Sequence, residues 1–361
     1  MNSWSRLLAA SLAAVALALA GCATQPLDEA TAARALAPPA LPDRALQERL
    51  LALDPEHLSD QDVQQVLAKG PTPRIILLHG GVYPVYLLME SFGRFLTRMG
   101  YPQSRIRDPR DNAWSYSPYM TTEQLAGLVA WQYERDGMRP MLIGHSQGGL
   151  EVVKILKALA GQDGDSLHVW NPLAWAFEER TTIADPLTGR SRPVVGLSVS
   201  YASAVGAGGL ALILPNQWSD LATLRRIPDT VDEFTGFFVA NDLIALSFPG
   251  NPLDTRYEAN GTARVRNVTL PSTYNHITVP LTGDLPRDPQ VRAWIDAFVP
   301  GIHADPSALP ESAQRHVLWA ADVWYSIKKH WCLEAQHWER ARRARAAAAA
   351  SAVAPVESAG R

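Results

Sequence analysis

In this 361-residue chain, the sequence MLIGHSQGG at Met141–Gly149 is the strongest indication of the fold. Its first three residues are an apolar run typical of a buried parallel strand. The residues that follow, from Leu150 to about Ala160, have the apolar spacing of a helix. Between strand and helix lies a Gly-x-Ser-x-Gly pentapeptide. In this context it predicts a tight turn whose glycines leave room for a strained Ser146, with the serine hydroxyl at the strand end and the helix N-terminus beneath it.

Strand and helix patterns alternate on both sides of this turn. Strands are predicted at Arg74–Leu78, Val194–Val199, Phe237–Ala240 and Val265–Leu270, with a short one beginning at Ile106. Helices are predicted after Ser59 up to Gly70, at 84–99, at 122–136, at 150–160 and at 291–298. Strands that alternate with helices of this length predict an α/β fold, with a mostly parallel central sheet and helices on both faces.

Composition and charge narrow the class of partner. The chain carries 33 Lys and Arg against 36 Asp and Glu, which gives a formal net charge of −3. Nucleic acids attract basic surfaces, so we expect no nucleic-acid partner. The sequence has neither a Cys/His spacing for a metal nor a phosphate-binding Gly-Lys motif. We therefore expect no metal and no organic cofactor.

With Gly144–Gly148 between a strand and a helix, the chain resembles the α/β-hydrolase superfamily, and within it the serine esterases and lipase-like proteins. The resemblance covers roughly residues 70–300. It implies a nucleophile, an oxyanion hole and a catalytic triad in the chain order Ser, then Asp or Glu, then His. Ser146 is the nucleophile in this interpretation.

The resemblance also places the oxyanion hole. His79-Gly80-Gly81 ends an apolar strand where the family has its first oxyanion loop. The amide of Gly81, with Val82 as the alternative, and the amide of Gln147 would then hold the negative oxygen. The aromatic loop residues Trp114, Tyr116 and Tyr119 are candidates for the lining of the same cleft.

The acid and the base follow from their positions after strands. Asp242 ends the apolar strand at 237–240, where the family has its acid, although a helix cap is an alternative interpretation. Four other acids are weaker candidates: Asp220, Asp229, Asp232 and Asp254. Of nine histidines, His276 is the one in a loop after the expected acid and after the strand at 265–270. A solvated loop histidine is its alternative interpretation.

The N-terminus resembles a bacterial lipoprotein signal. Arg6 precedes the apolar run Leu7–Leu19, and the sequence Leu-Ala-Gly-Cys ends at Cys22. The resemblance implies cleavage before Cys22 and lipidation of that residue; a secretory signal with a coincidental Cys is the alternative. The resemblance implies a bacterial cell-envelope protein held by its lipid. In Gram-negative lipoproteins, Ala23 rather than Asp after the Cys would favour the outer membrane, facing the periplasm or the surface.

These patterns predict four regions. They are a signal peptide at 1–21, a lipidated tether at 22–45, an α/β-hydrolase domain at 46–302 and a C-terminal helical extension with a frayed tail at 303–361. Within the domain, residues 201–232 are interpreted as a mobile cap or as a buried connector. In the extension a helix is predicted from about Glu311 to Ala350. Its tryptophans at 324, 331 and 338 favour core packing, with a membrane-surface or partner-binding face as the alternative.

Together, these expectations describe a lipid-anchored serine hydrolase of carboxylic esters that works through an acyl-enzyme. Its substrate would be a small-molecule or lipid ester. Two alternatives remain open at this point: an acyltransferase that uses the same triad, and a non-catalytic envelope protein that binds a ligand on a hydrolase fold.

Overall fold

The computed structural model describes residues 43–81, 83–162, 164–208, 224–242, 244–245, 256–302 and 305–353. Its strands are β1 (Ile75–Leu78), β2 (Met141–His145), β3 (Trp170–Asn171), β4 (Ala176–Phe177), β5 (Thr182–Ala184), β6 (Ser191–Pro193), β7 (Val199–Val205), β8 (Arg226–Ile227), β9 (Val231–Val239), β10 (Glu258–Ala259) and β11 (Arg264–Leu270). Its α-helices are α1 (Arg44–Ala52), α2 (Asp60–Gln65), α3 (Tyr83–Arg98), α4 (Thr122–Asp136), α5 (Gln147–Leu159), α6 (Pro289–Ala297), α7 (Glu311–Gln314) and α8 (Val317–Val353). Within these ranges, 3₁₀ turns lie at Leu67–Lys69, Gln103–Arg105 and Leu285–Arg287.

A five-stranded parallel sheet forms the centre of the protein, in the order β1-β2-β7-β9-β11. Because every neighbouring pair is parallel, the carboxyl ends of all five strands meet at one edge. The register sets Leu78 of β1 beside Gly144 of β2, and His145 beside Val205 of β7. The predicted α/β class, with a parallel sheet and a long C-terminal helix, is confirmed.

Each face of the sheet is covered by its own apolar core. On β1, Ile75 and Leu77 belong to the core formed with α3, α6 and α8, whereas Ile76 and Leu78 belong to the core formed with α4 and α5. This alternation follows from the two-residue period of a strand. It explains why the strand reads in the sequence as a continuous apolar run.

Helix ends follow the local signals in the sequence. α4 begins after Thr121, whose side chain and that of Gln124 form a capping box, and it ends at Gly137 with φ 67°. α2 begins with a second capping box between Ser59 and Asp62. Since these signals depend only on neighbouring residues, the predicted limits of α4 agree with the observed ones.

Two strand predictions need correction. The strand predicted at 194–199 lies at Val199–Val205 instead, because β7 is built from VSYASAV and its buried serines hide it in a hydropathy pattern. No strand begins at Ile106, which follows the 3₁₀ turn Gln103–Arg105.

The structure differs from the predicted regions at two points. Residues 201–205 and 231–232, assigned to a cap, belong to β7 and β9 of the central sheet, while 209–223 lie outside the described residues. α1 begins at Arg44, so the last two residues of the predicted tether are helical. The signal peptide and Cys22 lie outside the described residues, and their assignment stays a prediction.

Helix α8 is part of the same core as the sheet. Trp319, Trp324 and Trp331 are fully buried, whereas Trp338 is half-buried. The indole N–H of Trp331 donates to the carbonyl of Pro71, and its ring centroid lies 4.6 Å from that of Tyr101. The division predicted at residue 303 therefore does not separate two cores.

Ion pairs fix α8 at the amino ends of the strands. Arg139, just before β2, binds Glu334 of α8 at 2.7 Å and Asp232 at 2.7 Å. Arg266 of β11 binds Asp322 of α8 at 2.6 Å. Glu334 and Asp322 are buried. Removal of either arginine would leave a buried carboxylate without its counter-ion, which is strongly destabilising.

Basic residues of α8 form ion pairs with acidic residues of the same protein. Arg342 and Arg343 both bind Glu339 at 2.7 Å, and Arg343 also binds Glu48 at 2.9 Å. Lys329 binds Glu233 at 3.0 Å. In the described part of the chain, no helix has the length and apolar character needed to cross a membrane.

Trp331→Ala should lower the free energy of unfolding by about 3–5 kcal/mol, because it empties a fully buried site and leaves the Pro71 carbonyl unpaired. Trp175→Ala is the control, since Trp175 is 43% exposed, and it should cost about 1 kcal/mol or less. Urea unfolding measures both. Equal, small effects would show that α8 is not part of the core.

Candidate active site

Ser146 is the single residue between β2 and α5. Its backbone has φ 55° and ψ −121°, a conformation that L-residues rarely adopt and that stores strain. Its amide donates to the carbonyl of Val205 at 2.8 Å, and its own carbonyl accepts from the amide of Gly149 at 2.9 Å. The turn is thus held from both sides, and the side chain has a fixed direction at the carboxyl edge of the sheet.

The glycines around Ser146 are required by close backbone contacts. A Cβ on Gly144 would collide with the carbonyl oxygen of Gly148, and one on Gly148 would collide with the carbonyl oxygen of Leu78. A Cβ on Gly80 would lie 3.2 Å from the Cβ of Ser146. These contacts press the turn against the end of β1, which explains the Gly-x-Ser-x-Gly pattern in steric terms.

The structure brings Ser146, Asp242 and His276 together. The Nε2 atom of His276 lies 3.0 Å from the Oγ atom of Ser146, and its Nδ1 atom lies 2.7 Å from Oδ2 of Asp242. Because a carboxylate only accepts, Nδ1 carries the proton of the neutral ring and Nε2 is left to accept from the serine hydroxyl. His276 and Asp242 are each 6% exposed. The three side chains therefore form a hydrogen-bonded relay that is largely shielded from water, with the serine at its outer end.

Asp242 makes hydrogen bonds both to His276 and to the backbone that follows it. One oxygen binds His276, and the other accepts from the amides of Ile244 and Ala245, each at 2.9 Å. Burial acts to raise the pKa of Asp242, but the hydrogen bond and charge of His276, together with these amides, outweigh it and hold the pKa below its ordinary value. The carboxylate is therefore ionised at neutral pH.

The weaker acid candidates do not join this relay where they are described. Asp229 accepts from the amides of Thr262 and Ala263, and Asp232 pairs with Arg139. Asp220 and Asp254 lie outside the described residues.

Gly81 and Gln147 lie side by side next to Ser146. A Cβ on Gly81 would collide with the side-chain oxygen of Gln147, and the Tyr119 hydroxyl donates to the Gly81 carbonyl at 2.5 Å. Within the described ranges, neither the Gly81 amide nor the Gln147 amide has an acceptor. Val82, the alternative donor, is outside those ranges. Both amides are therefore open to an acceptor, as the donors of an oxyanion hole have to be.

Of the three aromatic candidates for the cleft, only Tyr119 reaches this site. It is 71% exposed and contacts Gly81. Trp114 is buried against Gly93 of α3, and Tyr116 is buried in the core beneath α4 and α5. Both are core residues rather than lining residues.

Two residues of the site were given no role by the sequence. Gly206 follows β7 with φ 59°, and a Cβ there would lie 2.9 Å from both Cε1 and Nδ1 of His276. His145 is fully buried, and its Nε2 atom donates to the His276 carbonyl at 2.7 Å. Gly206 could have been noticed in the sequence, because it is a glycine directly after a strand of a parallel sheet. The contact between His145 and His276 is visible only in the folded structure.

The electrostatics of the site keep His145 neutral. Burial, reinforced by the neighbouring His276, lowers the pKa of His145 from 6.5 to about 3. Burial also lowers the pKa of His79, whose Nδ1 atom donates to the Gly80 carbonyl at 2.7 Å. Both rings are thus uncharged hydrogen-bonding groups around the relay.

The described residues offer no metal centre. They contain no group of three or more His, Cys, Asp or Glu that could hold a metal ion. A cavity of about 390 Å³ lies between α3, α6 and α7, lined by Ser91, Leu285, Val291 and His316 among others, and none of the site residues described above lines it.

Comparisons with known proteins leave the function open. No protein-family model and no curated protein matches the chain. One solved structure with some similarity is described as RedJ with a PEG molecule bound in the active site. It is 16% identical over 64% of this chain and 90% of that chain, with a TM-score of 0.27. A likeness at this TM-score supports no conclusion, so the function has to be inferred from the geometry of the site.

The neutral state of His145 predicts a pH dependence of stability. The unfolded chain binds a proton at this residue below its ordinary pKa of 6.5, whereas the folded protein, with His276, Asp242 and His79 around the ring, binds it only near 3. The neutral state of His145 therefore costs no stability above pH 6.5. As the pH falls from 6.5 towards 3, the free energy of unfolding decreases by up to about 1.4 kcal/mol per pH unit.

Urea unfolding between pH 7 and pH 4 measures this loss, with His145→Gln as the control because glutamine does not titrate. The wild-type protein should lose stability faster than the variant below pH 6.5. Parallel curves would contradict the assignment of His145 as a buried neutral base.

Proposed function

We propose that the chain is a serine hydrolase of the α/β-hydrolase type that cleaves carboxylic esters through a covalent acyl-enzyme. The observation that carries this proposal is the relay from Ser146 to His276 to Asp242, with distances of 3.0 and 2.7 Å. Its position supports the fold assignment, because the serine stands on a strained strand-to-helix turn at the carboxyl edge of a parallel sheet.

Acylation begins at the serine hydroxyl. Ser146 Oγ attacks the ester carbonyl carbon while His276 Nε2 accepts the hydroxyl proton, and the carbonyl electron pair moves onto the oxygen. When the tetrahedral intermediate collapses, the C–O bond to the alcohol breaks and Nε2 returns the proton to the leaving oxygen. Asp242 stabilises the imidazolium in between, because its ionised carboxylate accepts from Nδ1.

Water completes the cycle by the same steps. His276 accepts a proton from a water molecule that attacks the acyl carbon, and then gives it back to Ser146 Oγ as the acid leaves. An alcohol acceptor in place of this water would give acyl transfer with the same residues. The ratio of free acid to new ester in the presence of an added alcohol separates the two reactions.

The negative oxygen of the intermediate is assigned to the amides of Gly81 and Gln147. Gln147 is the first residue of α5, so its amide is one of the unpaired donors at a helix N-terminus, where the helix dipole also favours negative charge. In comparable sites, the loss of one donor raises the barrier by about 2.7–4 kcal/mol.

A relay of this kind favours an enzyme over a binding protein. The backbone of Ser146 is strained, and the charge of Asp242 is buried. Both features cost stability, and neither is needed to bind a ligand. These features are useful when a proton must move at the serine.

Ser146→Ala should lower ester turnover by at least about 10³-fold while the fold is kept, because it removes the nucleophile from an unchanged backbone. Turnover of p-nitrophenyl butyrate gives the rate. In the wild-type protein a fluorophosphonate probe should label Ser146, as located by mass spectrometry, and His276→Ala should abolish the labelling.

Ser104→Ala is the control. Ser104 is exposed, but we expect the probe to label an activated serine and not merely an exposed one. This variant should keep both turnover and labelling. Turnover that survives in Ser146→Ala, or an adduct on another residue, would rule out the proposed nucleophile.

Gly206→Ala should lower kcat by about 100-fold, because the new methyl group would lie 2.9 Å from the His276 ring and displace it from Ser146. Gly189→Ala is the matched control. Gly189 has a similar positive φ of 72°, but a Cβ there meets nothing within 4 Å. Both variants should be destabilised by about 1 kcal/mol from backbone strain. Only Gly206→Ala should lose activity; an equal loss in both would assign the effect to strain alone.

A further inference from the structure

His145 connects the serine turn to the loop that carries His276. It is the last residue of β2, directly before Ser146, and it is fully buried. Its Nε2 atom lies 2.7 Å from the backbone oxygen of His276. Since a carbonyl only accepts, Nε2 carries the proton of the ring, and Nδ1 is unprotonated in the neutral form.

The other side of the ring faces the loop after β1. A Cβ on Gly80 would lie 3.6 Å from Nδ1 of His145 and 3.2 Å from the Cβ of Ser146. Nδ1 has no hydrogen-bond partner within the described ranges. The imidazole therefore lies between the loop after β1 and the loop of His276, and among the described residues its one hydrogen bond goes to the latter.

The backbone of His276 itself takes part in few hydrogen bonds. Over the described part of the chain, the backbone of His276 makes one hydrogen bond, the one from His145, while Asn275 caps the amides of Ile277 and Thr278. Three contacts made to His276 therefore position its Nε2 atom. Asp242 binds Nδ1, Gly206 lies against the ring, and His145 binds the backbone carbonyl.

We propose that His145 is a positioning residue, which sets the distance between His276 and Ser146 by holding the His276 carbonyl from the strand that carries the nucleophile. This inference rests on the serine-hydrolase function proposed above. It assigns a function to the residue before the nucleophile that the relay itself does not require. A shift of about 1 Å in the base lowers the rate by about 100-fold without a change in substrate binding.

The test compares two substitutions at this position. His145→Gln keeps an N–H that can reach the carbonyl, and His145→Phe fills a similar volume without a donor. With p-nitrophenyl butyrate, His145→Phe should lower kcat by about 100-fold with KM within threefold, and His145→Gln should recover at least a tenth of the wild-type kcat. Equal kcat values for the two variants, or a loss that lies in KM, would overturn the proposal.

His330→Phe controls for the loss of a buried histidine elsewhere. His330 is fully buried on α8, where it lies 3.5 Å from Glu233. This variant should lose stability but keep the kcat of the folded fraction. A 100-fold loss of kcat in His330→Phe would show that any buried histidine gives the effect, and would also overturn the proposal.

A second measurement needs only the unmodified protein. Nitrogen-15 histidine spectra should show His145, identified by its absence in His145→Gln, as the neutral tautomer protonated at Nε2. A proton on Nδ1 instead would remove the bond to His276 and overturn the proposal. If wild-type protein lacked turnover and serine labelling, the proposed function would fail by itself, while the tautomer would still decide whether His145 holds the loop.

Discussion

The close packing of the β2–α5 turn against the end of β1 is the constraint on which the site depends. Gly148 lies so near the Leu78 carbonyl that any side chain would collide with it, and Ser146 is left with a positive φ. This contact fixes the direction of Oγ. Parallel pairing then brings the ends of β9 and β11 to the same edge, so that residues 96 and 130 positions further along the chain reach the serine.

The features that were predictable from the sequence are those with local causes. The capping box of Thr121 and the glycine at 137 set the limits of α4, and the pentapeptide around Ser146 has the same steric cause in any chain. Asp242 and His276 are predicted from their positions after strands together with the resemblance, and the fold brings both of them to Ser146. β7 was misplaced because its serines are buried by neighbours on both sides, which hydropathy along the chain does not show. The contacts of Gly206 and His145 with His276 join segments 70 and 131 residues apart, so only the fold reveals them.

The ion pairs with α8 and the proposed catalytic residues lie at opposite edges of the sheet. The ion pairs of Arg139 and Arg266 with α8 lie at the amino ends of the strands, far along each strand from Ser146 and Asp242. At the carboxyl edge, by contrast, the rings of His79 and His145 are neutral and the ionised carboxylate of Asp242 is buried. A site with few charges is suited to a reaction in which negative charge develops on one oxygen, because fixed dipoles act more strongly where water is excluded.

The position of α8 late in the sequence also affects the order in which the parts of the protein can fold. All of the proposed catalytic residues precede residue 277, but the three tryptophans that cover one face of the sheet are at 319, 324 and 331. During synthesis this apolar face stays uncovered until α8 has been made, and exposed apolar surface of this kind promotes aggregation. A truncation before α8 would therefore keep Ser146, Asp242 and His276 but leave that face exposed to water.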